Sequence, residues 1–261
     1  MRGENKMKKS QLAAQLYTVR DFLKTPDDVA GSLEKIKKIG YDAVQLSGLG
    51  PIDEELLVRY AKDNGLVICA THEGSAKIFD EIDSVIERLK KLSCKHTAYP
   101  HPHYFPRTRN GAVMFARKLN EAAEKMAKEG LVLSYHNHAS EFVKHDSREF
   151  FLDIIYNEAP LLKAELDTFW VQAGGQDPVK WITKLAGRQD LLHLKDYGMN
   201  FAYERVMQPI GSGNLYWDDI MEAAKKAGVE YYIVEQDNCN GIDPFDALAS
   251  SYRFISERYF E

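Results

Sequence analysis

Asp167, His193 and Glu235 each stand at or near the end of a short apolar run: LKAELD (162–167), DLLHLK (190–195) and YYIVEQ (231–236). Burying a lone carboxylate or imidazole costs its hydration unless the group is paired or ligates a cation. Convergence on one divalent ion removes that cost for all three together. A fourth group comes from LVLSYHNHASEF (131–142), which offers His136, His138 and Glu141. With Glu141 the set is Glu, Asp, His and Glu, oxygen-rich donors that suit Mn²⁺, Mg²⁺ or Co²⁺ ahead of Zn²⁺. Three carboxylates would largely neutralise the ion and leave positions for two adjacent substrate oxygens. The ion would then act as a Lewis acid on a carbonyl, while a neighbouring carboxylate moves a proton on the carbon between the oxygens.

Such groups meet only if their runs are parallel neighbours. Eight strand-length apolar runs are spaced along the 261 residues: 12–18, 41–46, 66–71, 95–100, 131–136, 162–167, 190–195 and 231–236. Their composition fits strands buried on both faces. Amphipathic segments lie between them. PDDVAGSLEKIKKIG carries Pro26 in its first turn and ends at Gly40; AVMFARKLNEAAEKMAKEG ends at Gly130, and WDDIMEAAKKAG at Gly228. DPVKWITKLAG opens on Asp177 and Pro178 and closes at Gly187, which are helix start and stop signals. DEIDSVIERLKKL has apolar residues at helical spacing. Eight strand–helix units with a repeat of roughly 30 residues predict an α/β fold, a single-domain (β/α)8 TIM barrel over residues 11–261, with residues 1–10 as a flexible leader. A doubly wound sheet fits less well, because the segment after the first run, VRDFLKTPDD, has none of the glycines of a dinucleotide-binding turn.

In a TIM barrel, chemistry sits at the C-terminal ends of the strands. Gln15 and Tyr17, His72 and Glu73, His136 to His138, Asp167, His193 with Lys195, and Glu235 all fall there. Alternation along a strand puts His136 and His138 on one side, and likewise Glu165 with Asp167 and His193 with Lys195. His72, His136 and His138 are candidate substrate hydrogen-bonders, and Lys195 a candidate partner for a phosphate or enolate oxygen. Tyr17, Trp170, Phe142 and Trp217 are candidates to pack on the apolar face of a sugar. Two further patterns have competing readings. GSGN (211–214) reads as a phosphate cradle or as a tight turn before a helix, and PHPH (100–103) places His101 and His103 at metal-like spacing in a proline-stiffened loop.

The net charge is −5, which argues against an extended nucleic-acid surface. No run approaches the roughly 18 apolar residues of a membrane span. Cys69, Cys94 and Cys239 are odd in number and far apart, as expected for reduced thiols of a cytoplasmic protein.

In family order, the pieces QLYTVRD (15–21), YHNHASEF (135–142), ELDTFWVQAGGQDP (165–178), LLHLKDYG (191–198), PIGSGNLYW (209–217) and VEQD (234–237) resemble the sugar phosphate isomerase/epimerase family of xylose-isomerase-like TIM barrels. The resemblance implies one divalent metal held by Glu141, Asp167, His193 and Glu235, with Glu141 and Glu235 as proton-transfer carboxylates. It implies a small sugar, cyclitol or phosphorylated sugar as substrate, isomerised or epimerised through an enediolate, and it is compatible with a homo-oligomer. Two positions depart from the pattern. His136 stands where many relatives place the strand-end glutamate, so His136 or His138 competes with Glu141 as first ligand, and Gln45 stands where relatives commonly carry Glu. The alternatives on the same scaffold are an inosose-type dehydratase, an endonuclease-IV-like phosphodiesterase and a non-catalytic sugar-binding barrel.

Overall fold

The computed structural model describes residues 7–102, 104–144 and 148–261. The strands are β1 (Leu12–Gln15), β2 (Ala43–Leu46), β3 (Val67–His72), β4 (His96–Tyr99), β5 (Val132–His136), β6 (Lys163–Asp167), β7 (Gln189–Leu194), β8 (Asp196–Met199), β9 (Arg205–Gln208) and β10 (Tyr231–Val234). Eight of them close a parallel barrel in the order β1-β10-β7-β6-β5-β4-β3-β2. The TIM barrel expected from the eight apolar runs is therefore the observed fold. The addition is β8 and β9, an antiparallel pair registered from Asp196↔Gln208 to Met199↔Arg205 and lying between the seventh barrel strand and its helix.

The helices are α1 (Pro26–Ile39), α2 (Glu54–Asp63), α3 (Ser75–Asp80), α4 (Ile82–Lys91), α5 (Arg109–Lys128), α6 (Phe151–Glu158), α7 (Thr168–Ala173), α8 (Pro178–Lys184), α9 (Trp217–Ala227) and α10 (Pro244–Tyr259). Helix α1 starts where the sequence signals it. The Thr25 hydroxyl accepts from Asp28 N at 3.2 Å, and the Asp28 carboxylate accepts from Thr25 N at 3.0 Å. It stops at Gly40, whose φ of +125° and whose closeness to the Tyr252 ring (2.5 Å from a Cβ placed there) both exclude a side chain. None of the described helices is long and apolar enough to cross a membrane.

Of the expected leader, residues 1–6 lie outside the described residues. Met7 bridges to Phe260, and Lys9 N donates to Glu261 O at 3.1 Å, so the start of the described chain is tied to its end. All three cysteines are free, Cys69 and Cys94 buried and Cys239 half-buried.

Two apolar layers hold the barrel. The larger fills the space between strands and helices, where Tyr41, Tyr99, Tyr135 and Phe151 are buried. The smaller lies inside the barrel and is built from Ala13, Ala43, Cys69, Ala70, Leu191 and Ile233. Side chains two residues apart on a strand share a face. The residues one layer above this floor are therefore Gln15, Gln45, His72, His193 and Glu235, and all five are polar.

Candidate active site

Above the alanine-rich floor, Glu165 of β6 sits at the centre of a buried polar layer. Its Oε1 accepts from Gln45 Nε2 at 2.6 Å, and its Oε2 lies 2.6 Å from His72 Nε2 and 3.3 Å from His136 Nδ1. Gln45 Oε1 accepts from Gln15 Nε2 at 2.8 Å and lies 2.6 Å from His193 Nε2. Each of these side chains comes from a different strand. The barrel's closure assembles the layer, since Gln45 and Glu165 are 120 residues apart in the chain.

A second layer opens to the mouth. His193 Nδ1 lies 2.9 Å from Glu235 Oε2. Asp167 caps α7 by accepting from Trp170 N at 2.9 Å through Oδ1, while its own N–H donates to Asn137 Oδ1 at 3.0 Å. That turns Asp167 Oδ2 inward, 3.8 Å from His136 Nε2 and 4.0 Å from His193 Nδ1. The Lys195 ammonium reaches Asp167 Oδ2 and Glu235 Oε2, each at 3.1 Å, and Asp237 Oδ2 at 2.7 Å. Its approach to Asp167 is not aligned for a hydrogen bond, which leaves Oδ2 without a hydrogen-bonding partner.

Burial opposes charge on every one of these groups, and neighbours decide the outcome. Burial works against the His193 imidazolium, but Glu165 and Glu235 outweigh it and hold its pKa at about 10. For Lys195, Asp167, Glu235 and Asp237 likewise overcome burial and keep the ammonium charged. Glu165 and Glu235 stay ionised against burial, Glu165 through its histidines and Glu235 through Lys195 and His193. Burial and the charge on His193 push His136 down to about 3, so it is neutral. Burial and the Glu235 charge push Asp237 up to about 6. Four carboxyl groups (Glu165, Asp167, Glu235, Asp237) share this network with two groups held cationic, His193 and Lys195.

One donor atom each from His136, Asp167, His193 and Glu235 lies within 4.8 Å of the others, and the same holds for His72, His136, Glu165 and His193. The upper group adjoins a cavity of 410 Å³ lined by Tyr17, Arg20, His72, His101, His138 and Lys195, among others. A larger groove of 960 Å³ runs along the flank of α8 and α9, away from the strand ends.

From residue 33 to residue 258 the sequence matches the family model described as xylose isomerase-like TIM barrel. The chain belongs to that family. Among solved structures, it resembles a sugar phosphate isomerase/epimerase from Parabacteroides distasonis ATCC 8503, with a TM-score of 0.82 and 20% identity over 99% of this chain and 96% of the other. It also resembles an L-ribulose 3-epimerase (TM-score 0.74, 17% identity, 95% and 94% covered). A third is the probable 3-DHS dehydratase AsbF of Bacillus anthracis (TM-score 0.74, 13% identity, 95% and 99% covered). These likenesses establish a shared fold. No curated protein matches the sequence.

In this xylose isomerase-like barrel, Asp167, His193, Glu235 and Lys195 meet at the mouth. His136 joins them, whereas Glu141 does not. The chain leaves β5 through a short 3-10 turn, Ala139–Phe142, which directs Glu141 back along the outer face of the strand. There the Tyr135 hydroxyl donates to it at 2.9 Å, with His138 N and the Ser140 hydroxyl each donating at 3.1 Å. His138 lines the cavity, its ring 5.2 Å from that of Trp170, and Trp170 Nε1 and His138 Nδ1 are buried without hydrogen-bond partners among the described residues. Tyr17 lies at the rim beneath the Arg20 guanidinium, 4.4 Å from its ring centre.

Phe142 and Trp217 are not at the mouth. Phe142 packs on Trp181, and the Trp217 indole donates to Asp196 Oδ2 at 2.9 Å. The GSGN loop does form a cradle of N–H groups, but the chain's own Asp196 fills it, accepting from Gly211 N at 2.8 Å and Gly213 N at 3.0 Å. His101 lines the cavity, while His103 lies outside the described residues. Glu165 and Asp237 were not singled out as site residues from sequence. The signal for Glu165 is strand parity, two residues before Asp167; Asp237 lies past the end of β10, where parity no longer applies.

Proposed function

We propose that this chain is a divalent-metal-dependent isomerase or epimerase of a small sugar or sugar phosphate, working by proton transfer through an enediolate. The carrying observation is the convergence of His136, Asp167, His193 and Glu235, with donor atoms within 4.8 Å of one another, beside a 410 Å³ cavity. These residues fit a metal ion: Asp167 Oδ2 is buried without a hydrogen bond among the described residues, and four carboxyl groups share the network with two groups held cationic, His193 and Lys195. Two imidazoles and two carboxylates suit Mn²⁺, Co²⁺ or Zn²⁺ better than Mg²⁺. When bound, a divalent ion supplies Lewis acidity toward a substrate carbonyl and its neighbouring hydroxyl.

The chain's own residues account for the rest. Glu235, in the cavity wall, takes the proton from the hydroxyl-bearing carbon next to the carbonyl, which gives the enediolate. Asp237, poised near pKa 6, returns one, since a proton-transfer group works best with a pKa near the working pH. Lys195 Nζ bridges these two carboxylates, so the proton gained by Glu235 and the one given up by Asp237 are evened out through it before the next turnover. His138 lines the cavity with Nδ1 unpartnered among the described residues, so its ring is the candidate contact for a substrate hydroxyl.

Dehydration is the second reading, because it begins with the same proton abstraction, and the fold likeness includes a probable dehydratase. Turnover of a keto-sugar panel in deuterated solvent, with the metal content measured, tests both. Isomerisation or epimerisation introduces carbon-bound deuterium with water retained, and dehydration loses water. No turnover with any divalent ion would overturn the proposal.

A further inference from the structure

The layer beneath the mouth is more than filling. We infer that Gln45 and Glu165 are positioning residues that dictate which nitrogen each imidazole turns to the mouth, Nδ1 for His193 and Nε2 for His136. The inference rests on the metal-binding reading above.

Amide and imidazole orientations are assigned by following hydrogen bonds to groups whose donor or acceptor character is fixed. Two such anchors bound this chain. At one end the backbone N–H of Tyr17, a donor, lies 3.4 Å from Gln15 Oε1, so Gln15 presents its amide NH₂ to Gln45 at 2.8 Å. Gln45 Oε1 is therefore an acceptor, and Gln45 Nε2 donates at 2.6 Å to Glu165, a carboxylate that only accepts. The two anchors agree. With Gln45 Oε1 accepting, His193 Nε2, at 2.6 Å from it, must carry the hydrogen. His193 is left to offer Nδ1, the nitrogen 2.9 Å from Glu235. For His136, the group nearest Nδ1 is the acceptor-only Glu165 Oε2 at 3.3 Å, a contact not aligned for a hydrogen bond in the metal-free chain; the charge of that carboxylate favours the hydrogen on Nδ1, and Nε2 faces Asp167.

The consequence is economical. One carboxylate and one amide orient two imidazoles from separate strands, and each ring has its opposite nitrogen aimed at the shared space. Hydrogen bonds of this kind to ligating imidazoles typically contribute 10- to 100-fold in metal affinity.

Zinc, being diamagnetic, is the probe. In the zinc-loaded full chain labelled with ¹⁵N-histidine, nitrogen shifts should show His193 metallated at Nδ1 with its hydrogen on Nε2, and His136 metallated at Nε2 with its hydrogen on Nδ1. Glu165→Gln and Gln45→Leu should each weaken zinc binding by about 10- to 100-fold and blur the single pattern of the ring above the change. The opposite nitrogens in the unaltered chain would overturn the inference, whether or not the variants fold. So would zinc affinity unchanged in both folded variants. If zinc binds elsewhere and leaves His136 and His193 unperturbed, the metal reading falls as well.

Discussion

Lys195 Nζ lies 3.1 Å from Glu235 Oε2, an oxygen that also faces His193 Nδ1 at 2.9 Å. In the metal-free chain the side chain proposed as base is thus held between an ammonium and an imidazolium, both supplied by β7 or the residue just after it. Its ionisation is built into the fold rather than left to solvent.

Removing that ammonium has two opposed effects. Lys195→Met leaves Asp167, Glu235 and Asp237 without their common cation, and breaking one side of a buried ion network typically costs about 3–5 kcal/mol. The metal-free protein should lose stability of that order in urea unfolding with chelator present. Added Mn²⁺ or Zn²⁺ should restore part of it, because the ion no longer competes with the ammonium. An undiminished midpoint with chelator would show that Lys195 is not holding the network together.

Glu235→Gln keeps the volume and removes the proton acceptor. Turnover should fall by about 10²- to 10⁴-fold, the usual contribution of a positioned base. Exchange of the substrate carbon hydrogen with deuterated solvent should fall in parallel, while circular dichroism shows a folded barrel.

Glu141 yields a pH prediction. Burial, opposed by the Tyr135 and Ser140 hydroxyls and backbone N–H groups, pushes its carboxyl up to about 7 from the ordinary 4.5. A carboxyl whose pKa is higher in the folded state leaves stability intact below pH 4.5 and lowers it as pH rises toward 7. The loss contributed by this group is about 3.5 kcal/mol at most, since each tenfold change in a protonation equilibrium corresponds to about 1.4 kcal/mol. Denaturant titrations across that window should show this slope reduced in Glu141→Gln, and metal stoichiometry should be unchanged. Loss of the metal in that variant would bring Glu141 back as a ligand.

Asp196 fills the GSGN loop. Asp196→Ala would strand the N–H groups of Gly211 and Gly213 and the Trp217 indole, now at 2.8, 3.0 and 2.9 Å from one oxygen. The Trp217 indole is buried, and an unsatisfied buried donor costs about 1–3 kcal/mol, whereas water can reach the two loop N–H groups. Thermal unfolding should reveal a loss of about that size with turnover per folded molecule little changed.

Much of this was legible in the sequence, for identifiable reasons. The barrel strands are apolar on both faces, so their runs stand out, and parity along each run brings Asp167, His193 and Glu235 to one mouth. Parity stops where the strand stops. Glu141 lies five residues past the end of β5, and the 3-10 turn between reverses the direction its position suggests. The β8–β9 pair escaped because its strands are four residues each and largely exposed or half-buried at the far end. Glu165 and Gln45 were visible as inward-facing residues, but their partnership depends on a closure that no local pattern encodes.

The inner floor also defines how the site could be re-engineered. Ala13, Ala43 and Ala70 contribute little more than methyl groups beneath the glutamine and histidine tier. Enlarging one of them by a carbon or two places bulk directly beneath amides and rings whose hydrogen bonds, at 2.6 to 2.8 Å, leave little slack. The depth of the mouth, and with it the length of molecule it admits, is therefore adjustable from underneath, at residues that no substrate would ever touch.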